Sequence, residues 1–204
     1  MRCVMTENVN EVRQKLAKLL EPGYQKIETG VIPEADSSMH ARALIRMPRC
    51  KGKMVEWWFG YLNSTDLYKK WHPQAHQKFV WDEKWSPGHY IGATHYGEEI
   101  IGNQYFKVKI KFFDPAEVFD ITKFKATRIG GVIYAKAVDD QGTPHGRIVI
   151  CCRDTEYGCE ARVWDWLFHT TDESAGLGVM IHSVEEMGNL ADFLPDLYAM
   201  ENLR

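Results

Sequence analysis

The order of hydrophobic periods along this chain predicts an α+β protein in which a curved antiparallel sheet wraps round a long C-terminal helix. Three observations carry that reading. Helical spacing and helix-stop signals dominate the segment before residue 72, a period of two takes over after about residue 91, and helical spacing returns near residue 177.

Thr6 or Asn8 can cap a first helix that runs to about Leu20, with Val9, Val12, Leu16 and Leu19 near helical spacing; Pro22-Gly23 stops it. Residues 21–40 are rich in Pro, Gly, Asp and Ser and read as a loop. Ala41 to Met47 reads as a short strand ended by Pro48. The aromatic run Trp57-Trp58-Phe59 suggests a buried helix from Met54 to Leu62, and a second short helix spans about Thr65 to Trp71, with Ser64 or Thr65 as its cap. His72-Pro73 marks its end, because a residue before proline avoids the helical region.

Phe106, Val108, Ile110 and Phe112 then alternate with Lys107, Lys109 and Lys111, the pattern of a half-buried strand. Gly102-Asn103 before it reads as a two-residue turn back to a strand from about Ile91 to Ile101. Further strands are expected at Thr127–Val138, Arg147–Arg153 and Cys159–Thr170, the last two joined by residues 154–158. A helix from roughly Leu177 through Leu194, broken near Pro195, closes the chain. The sequence shows no repeat, low-complexity tract or linker.

The chain of 204 residues suits one large domain with a substantial core. Residues 1–50 would form an N-terminal helix and loop extension, and residues 51–204 the body. Hydrophobic residues at 45% and charged residues at 26% are ordinary for a globular protein. A net charge of −3 gives no electrostatic case for nucleic acid or an anionic membrane. Cys3, Cys50, Cys151, Cys152 and Cys159 are odd in number and lack metal-ligand spacing, which fits reduced thiols in a cytoplasm. The first residues have no apolar stretch of the signal-peptide kind, and no apolar run approaches a membrane span, so a cytoplasmic location is expected. Seven Trp and nine Tyr suit bulky core packing or a ligand cavity.

The feature richest in chemistry is His182 and Glu186. At i and i+4 they share one helix face, and an imidazole with a carboxylate supplies two of the ligands that zinc takes. Upstream, His72 and His76 form a second cluster and Glu98-Glu99 an acidic pair. The hairpin decides between the acids: with Gly102-Asn103 as a two-residue loop, Glu99 faces Phe106 and Glu98 faces Lys107. Directly opposed residues share a sheet face, so Glu99 points to the apolar side, where a carboxylate must be paired or metal-bound; a three-residue loop would reverse this. His95 has the same parity and is a candidate proton donor or outer partner of the ligands. Between His72 and His76 the residues alone give no decision, because His72 can simply cap the end of its helix.

Glu56-Trp57-Trp58-Phe59, Tyr68-Lys69-Lys70-Trp71-His72-Pro73-Gln74-Ala75-His76, Glu98-Glu99-Ile100-Ile101-Gly102 and Lys109-Ile110-Lys111-Phe112-Phe113-Asp114-Pro115 form an ordered set. Arg153-Asp154-Thr155, Tyr157-Gly158-Cys159-Glu160 and His182 with Glu185-Glu186-Met187 continue it. Together, over roughly residues 50 to 200, they resemble the 2,4-diacetylphloroglucinol hydrolase family, which includes phloretin hydrolase. The resemblance implies a helix-grip fold like that of the birch-pollen allergen superfamily and one zinc ion per chain, held by His76, Glu99, His182 and Glu186. Tyr68 stands where the family has a substrate-contacting tyrosine eight residues before its first histidine ligand, which favours His76 over His72. The reaction implied is hydrolysis of the carbon–carbon bond between a phenolic ring and an acyl group, with Tyr68 and a nearby histidine, His95, as catalytic residues.

The chain departs from the family pattern in two places. The family's further histidine, on the strand before Arg-Asp-Thr, has no counterpart in Arg147-Ile148-Val149-Ile150-Cys151-Cys152, although His145 lies near, in the expected preceding turn. The spacing from His76 to Glu99 is also shorter. His95 or His145 is left to stand in, or the reaction differs. The competing expectations are a non-catalytic carrier of an aromatic or polyketide ligand and a zinc enzyme of the same fold with lyase or cyclase chemistry. The expected partner is a small aromatic or polyketide-like substrate, with no nucleic acid and no membrane; a homodimer is left open.

Overall fold

In the computed structural model residues 8–202 are described, so Cys3 and Thr6 lie outside the described residues. Eight strands form one antiparallel sheet: β1 (Gly30–Pro33), β2 (Met39–Pro48), β3 (His76–Trp81), β4 (Thr94–Ile101), β5 (Gln104–Phe113), β6 (Ile129–Val138), β7 (Pro144–Asp154) and β8 (Gly158–Leu167). Their order across the sheet is β1-β2-β8-β7-β6-β5-β4-β3. Helices α2 (Gly52–Tyr61) and α3 (Thr65–Trp71) and the long C-terminal α5 (Glu173–Asn202) share one core with the concave face; α1 (Val9–Ala17) lies on the other side, and α4 (Phe124–Thr127) is a single turn before β6. This is the expected α+β architecture, a curved sheet gripping the last helix. Among the described residues no helix is long and apolar enough to cross a membrane.

Side-chain parity divides the sheet into two apolar layers. Ala43, Ile45 and Met47 of β2, Ile133 and Ala135 of β6, Ile150 and Cys152 of β7, and Ala161 and Val163 of β8 face inward, against Trp58, Phe59, Met187, Leu190 and Leu194 of the helices. Residues of opposite parity, Val132, Tyr134, Val149, Cys151, Trp164 and Trp166, form the outer layer with Val12, Leu16 and Leu19 of the N-terminal helix. Trp164 and Trp166 thus belong to a packed layer on the convex side. His40 stacks on Trp166 with ring centroids 3.9 Å apart, and Arg42 lies 4.4 Å above the Trp164 ring.

Several boundaries differ from the sequence expectations. The segment read as a loop contains β1, which pairs Val31 with Ala41 and Pro33 with Met39. Strand β3 has no alternating pattern long enough to betray it. The last helix does not break near Pro195 but runs from Glu173 to Asn202 with Pro195 inside it. Proline removes the amide that would bond the carbonyl four residues earlier. That carbonyl, of Ala191, is instead met by the Cys50 thiol at 3.9 Å, so the helix continues with its orphaned acceptor served from outside.

The pieces around the end of β7 act as fasteners. The Arg153 guanidinium donates to the carbonyls of Leu19 (3.0 Å), Glu21 (2.5 Å) and Gly23 (3.3 Å), closing the C-terminal end of the first helical segment. Asp154 accepts the Gly52 amide at 2.8 Å, capping α2, whose N-cap Lys51 makes no side-chain cap. Glu56 accepts the Val132 amide at 2.9 Å. These bonds bring α2 so close to β6 that a methyl on Gly52 would come within 2.4 Å of the Gly130 carbonyl carbon and the Gly131 nitrogen.

Two outcomes follow for stability. Gly52→Ala should destabilise the protein by about 1–3 kcal/mol, as backbone must move to admit the methyl; thermal or urea denaturation at neutral pH measures it. His40, held from about 6.5 down to about 2 by burial and then by Arg42, binds a proton in the unfolded chain long before it does in the fold. Stability from its neutral burial is therefore complete above about pH 6.5 and lost progressively as pH falls toward 2. Urea titrations across that window should show a shallower decline for His40→Gln than for the wild type.

Candidate metal centre

The residues singled out from the sequence meet where α5 crosses the β3–β4 end of the sheet. Gly102 and Asn103 take φ of 56° and 65°, making the two-residue turn expected between β4 and β5. The register is the one that parity requires: Ile101 faces Gln104, Glu99 faces Phe106 and Glu98 faces Lys107. Glu99 is buried on the inner face, while Glu98 points outward and lies 3.8 Å from Lys78. A bulge in β3 then places His76 directly opposite Glu99 while Lys78 faces Glu98. Such an extra residue re-aims a side chain, and here it sets an imidazole beside the carboxylate.

From the other side, α5 presents His182 and Glu186 one helical turn apart. His182 Nε2 lies 3.8 Å from Glu99 Oε2 and 3.7 Å from Glu186 Oε2, and His76 Nε2 lies 3.7 Å from the same Glu186 oxygen. Ligand atoms of His76, Glu99 and His182 all fall within 4.8 Å of one another. A tetrahedral ion with bonds of about 2.0–2.2 Å needs ligand atoms roughly 3.3–3.6 Å apart. The observed separations are slightly wider, so a modest contraction would close the cluster on a cation, and this His-Glu-His group could hold a metal.

The electrostatics favour a cation too. Burial pushes Glu99 up to about 7, against the pull of the Tyr68 hydroxyl, and raises Glu186 well above the carboxylate range, with Glu99 and Asp165 adding to it. Burial first, then His182, holds His76 down near 2, and burial with His72 holds His182 near 3. The imidazoles are thus neutral and offer lone pairs, while the carboxylates lack the solvation that would sustain two negative charges. A divalent ion is the group that makes both carboxylates comfortable in their charged form.

A surrounding layer fixes these groups. His76 Nδ1 donates to the Tyr68 backbone carbonyl at 2.9 Å, which selects the tautomer whose Nε2 lone pair faces the cluster. The Tyr68 ring stacks on His76 with centroids 3.7 Å apart and 5° between planes, and its hydroxyl donates to Glu99 Oε1. Ser64 holds α3 in place by accepting the Leu67 amide, so Tyr68 is delivered from a capped turn. His95 lies on the inner face of β4 two inward positions from Glu99, its ring centroid 5.3 Å from Tyr68, with Nε2 buried and without a hydrogen-bond partner.

His72 does not join the cluster. It stacks on His182 at 4.8 Å and lies with Nε2 3.2 Å from Glu185 Oε2. Sequence reasoning weighed His72 as a ligand and overlooked its pairing with Glu185, although the i,i+4 repetition of His72/His76 and the adjacency of Glu185/Glu186 carried a hint. His145 sits exposed at the start of β7 with outward parity, because its neighbour Gly146 faces Ala137 on the inner side. It lies in the strand, not the turn before it, and cannot reach the site.

The comparisons with known proteins agree in direction. A family model described as the DAPG hydrolase PhiG domain matches residues 12–173, a span that includes His76 and Glu99 and stops before α5's His182. Two curated relatives are the 2,4-diacetylphloroglucinol hydrolases of a Pseudomonas species and of Pseudomonas protegens. Each is 23% identical over 223 residues, covering 91% of this chain and 75% and 72% of theirs. Among solved structures, ginseng major latex-like protein 151 from Panax ginseng superposes with a TM-score of 0.51 at 12% identity, over 76% of this chain and 97% of its own. That likeness establishes the helix-grip fold alone. The family match spans most of the chain, and the chain belongs to the DAPG hydrolase family.

Proposed function

We propose that this protein is a zinc-dependent hydrolase that cleaves the carbon–carbon bond between a phenolic ring and an acyl group in an acylphloroglucinol-like aromatic ketone. The observation that carries the reading is the buried convergence of His76, Glu99, His182 and Glu186, in a family whose curated relatives are named for hydrolysing 2,4-diacetylphloroglucinol. Two imidazoles and two carboxylates are a donor set that zinc accepts. Bound there, zinc would supply Lewis acidity toward an acyl carbonyl and would lower the pKa of water to about 7.

The chain's own residues do the rest. Tyr68, whose phenol burial and Glu99 hold well above its usual pKa, stays protonated and acts as a hydrogen-bond donor. His95, pushed down to about 3 by burial, stays neutral with Nε2 unpartnered, so it can hydrogen-bond a phenolic hydroxyl and orient it. Ile110, Ile148 and Met180 are partly exposed around this end of the core and offer an apolar wall to an aromatic ring. In the net reaction, water gives its oxygen and one proton to the acyl group and the other proton to the ring carbon. The electron pair of the broken bond stays on the ring, which is favourable once the ring holds a keto-like form.

The reading has direct tests. Purified protein should hold about one zinc per chain by elemental analysis, and Glu186→Ala should lose it; full occupancy in that variant would show that the site is wrongly assigned. Incubated with an acylphloroglucinol, the wild type should release a carboxylic acid and the shortened phenol, detected by chromatography. Zinc-loaded protein that binds the ketone intact without consuming it would identify a carrier instead. Tyr68→Phe, assayed at saturating zinc, should lose roughly 10²-fold in kcat, the range for removing one positioned donor; an unchanged kcat would remove Tyr68 from the chemistry.

A further inference from the structure

Asp165 is a buried acid on the inner face that the proposed chemistry does not use. It lies on β8 between Ile148 of β7 and Ala41 of β2, with the parity of Val163 and Ala161, and is 6% exposed. Its partner across the core is Ser183 of α5, itself buried and seated between His182 and Glu186 in sequence. Ser183 Oγ lies 3.0 Å from Asp165 Oδ2 and 3.0 Å from the Val179 carbonyl.

A hydroxyl has one proton to give. Ser183 Oγ donates it to Asp165 Oδ2, with the Val179 carbonyl as the second acceptor within reach. Burial pushes the Asp165 carboxyl up to about 7, against the pull of the Ser183 hydroxyl. The stretch of helix concerned has weak intrinsic propensity: Gly176, Gly178 and Gly188 each cost about 1 kcal/mol relative to alanine, and serine is no strong helix former. Two of the cluster's ligands are fixed on β3 and β4, whereas the other two depend on where this stretch of helix sits.

We propose that Asp165 is a positioning residue for the metal site: by holding the Ser183 hydroxyl, it pins the His182–Glu186 turn of α5 to β8 and so sets that turn's distance from His76 and Glu99. The inference rests on the zinc reading given above. A group that orients a ligand in this way is worth about 10–100-fold in metal affinity.

Zinc affinity, measured by competition with a chromophoric chelator, tests this on the wild type, Asp165→Asn, Asp165→Ala and Ser183→Ala. Circular dichroism of each metal-free protein confirms that it is folded. Asparagine keeps an accepting oxygen at that position, so Asp165→Asn should bind zinc within about threefold of the wild type, whereas Asp165→Ala and Ser183→Ala should bind at least about tenfold more weakly. Alanine at 165 with wild-type affinity would overturn the inference, and so would asparagine as weak as alanine, since the hydrogen bond to Ser183 would then not be what matters. If Asp165→Ala fails to fold, Ser183→Ala carries the same test. A wild type that binds no zinc would sink the metal reading itself, an outcome separable from either of these.

Discussion

Two carboxylates and two imidazoles share a few ångströms of buried space where one helix crosses the end of a sheet, and the rest of the structure is arranged to permit it. Glu99 and Glu186 would repel each other if both were ionised, and burial deprives them of water's screening. The protein accepts this cost in one place. It does so with ligands drawn from three separate elements, β3, β4 and α5, so the cluster exists only when the sheet and the helix are assembled correctly.

Much of the remaining architecture serves that assembly. The Arg153 guanidinium holds the N-terminal helical segment, Asp154 caps α2 and Glu56 ties α2 to β6. These side chains belong to motifs that a sequence reader would readily assign to catalysis because they are polar and clustered. Each is instead spent on a backbone group that the fold would otherwise leave unsatisfied. Their work indirectly fixes α3 as well, since Tyr68 reaches the cluster from a short helix that follows directly on α2.

The inner face was legible because a two-residue hairpin leaves only one parity, and the choice of Glu99 over Glu98 followed from geometry before any fold was known. The lysine-bearing strand and the outer position of Lys107 were legible for the same reason. What could not be read was local structure set by distant partners. Strand β1 is short and rich in turn formers, and it exists because β2 offers it an edge. Strand β3 carries a bulge that destroys alternation at the very residue that matters, His76. Pro195 signals a helix end by every local rule, yet the helix runs through it, with the thiol of Cys50, more than a hundred residues away, against the freed carbonyl. The role of Ser183 was equally hidden, since a serine in a helix says nothing about what lies across the core.

The two apolar layers do not extend equally. The N-terminal helix insulates the convex side of β6, β7 and β8, but Val80, Tyr96, Ile100 and Tyr105 on the same side of β3, β4 and β5 are open to solvent. The centre of the sheet is therefore clamped from both directions, whereas its far wing is backed on one side only. A wing of that kind can breathe at lower free energy than the clamped centre. Because the His-Glu cluster sits on that wing, the spacing of its side chains is the part of the core most easily altered by local opening.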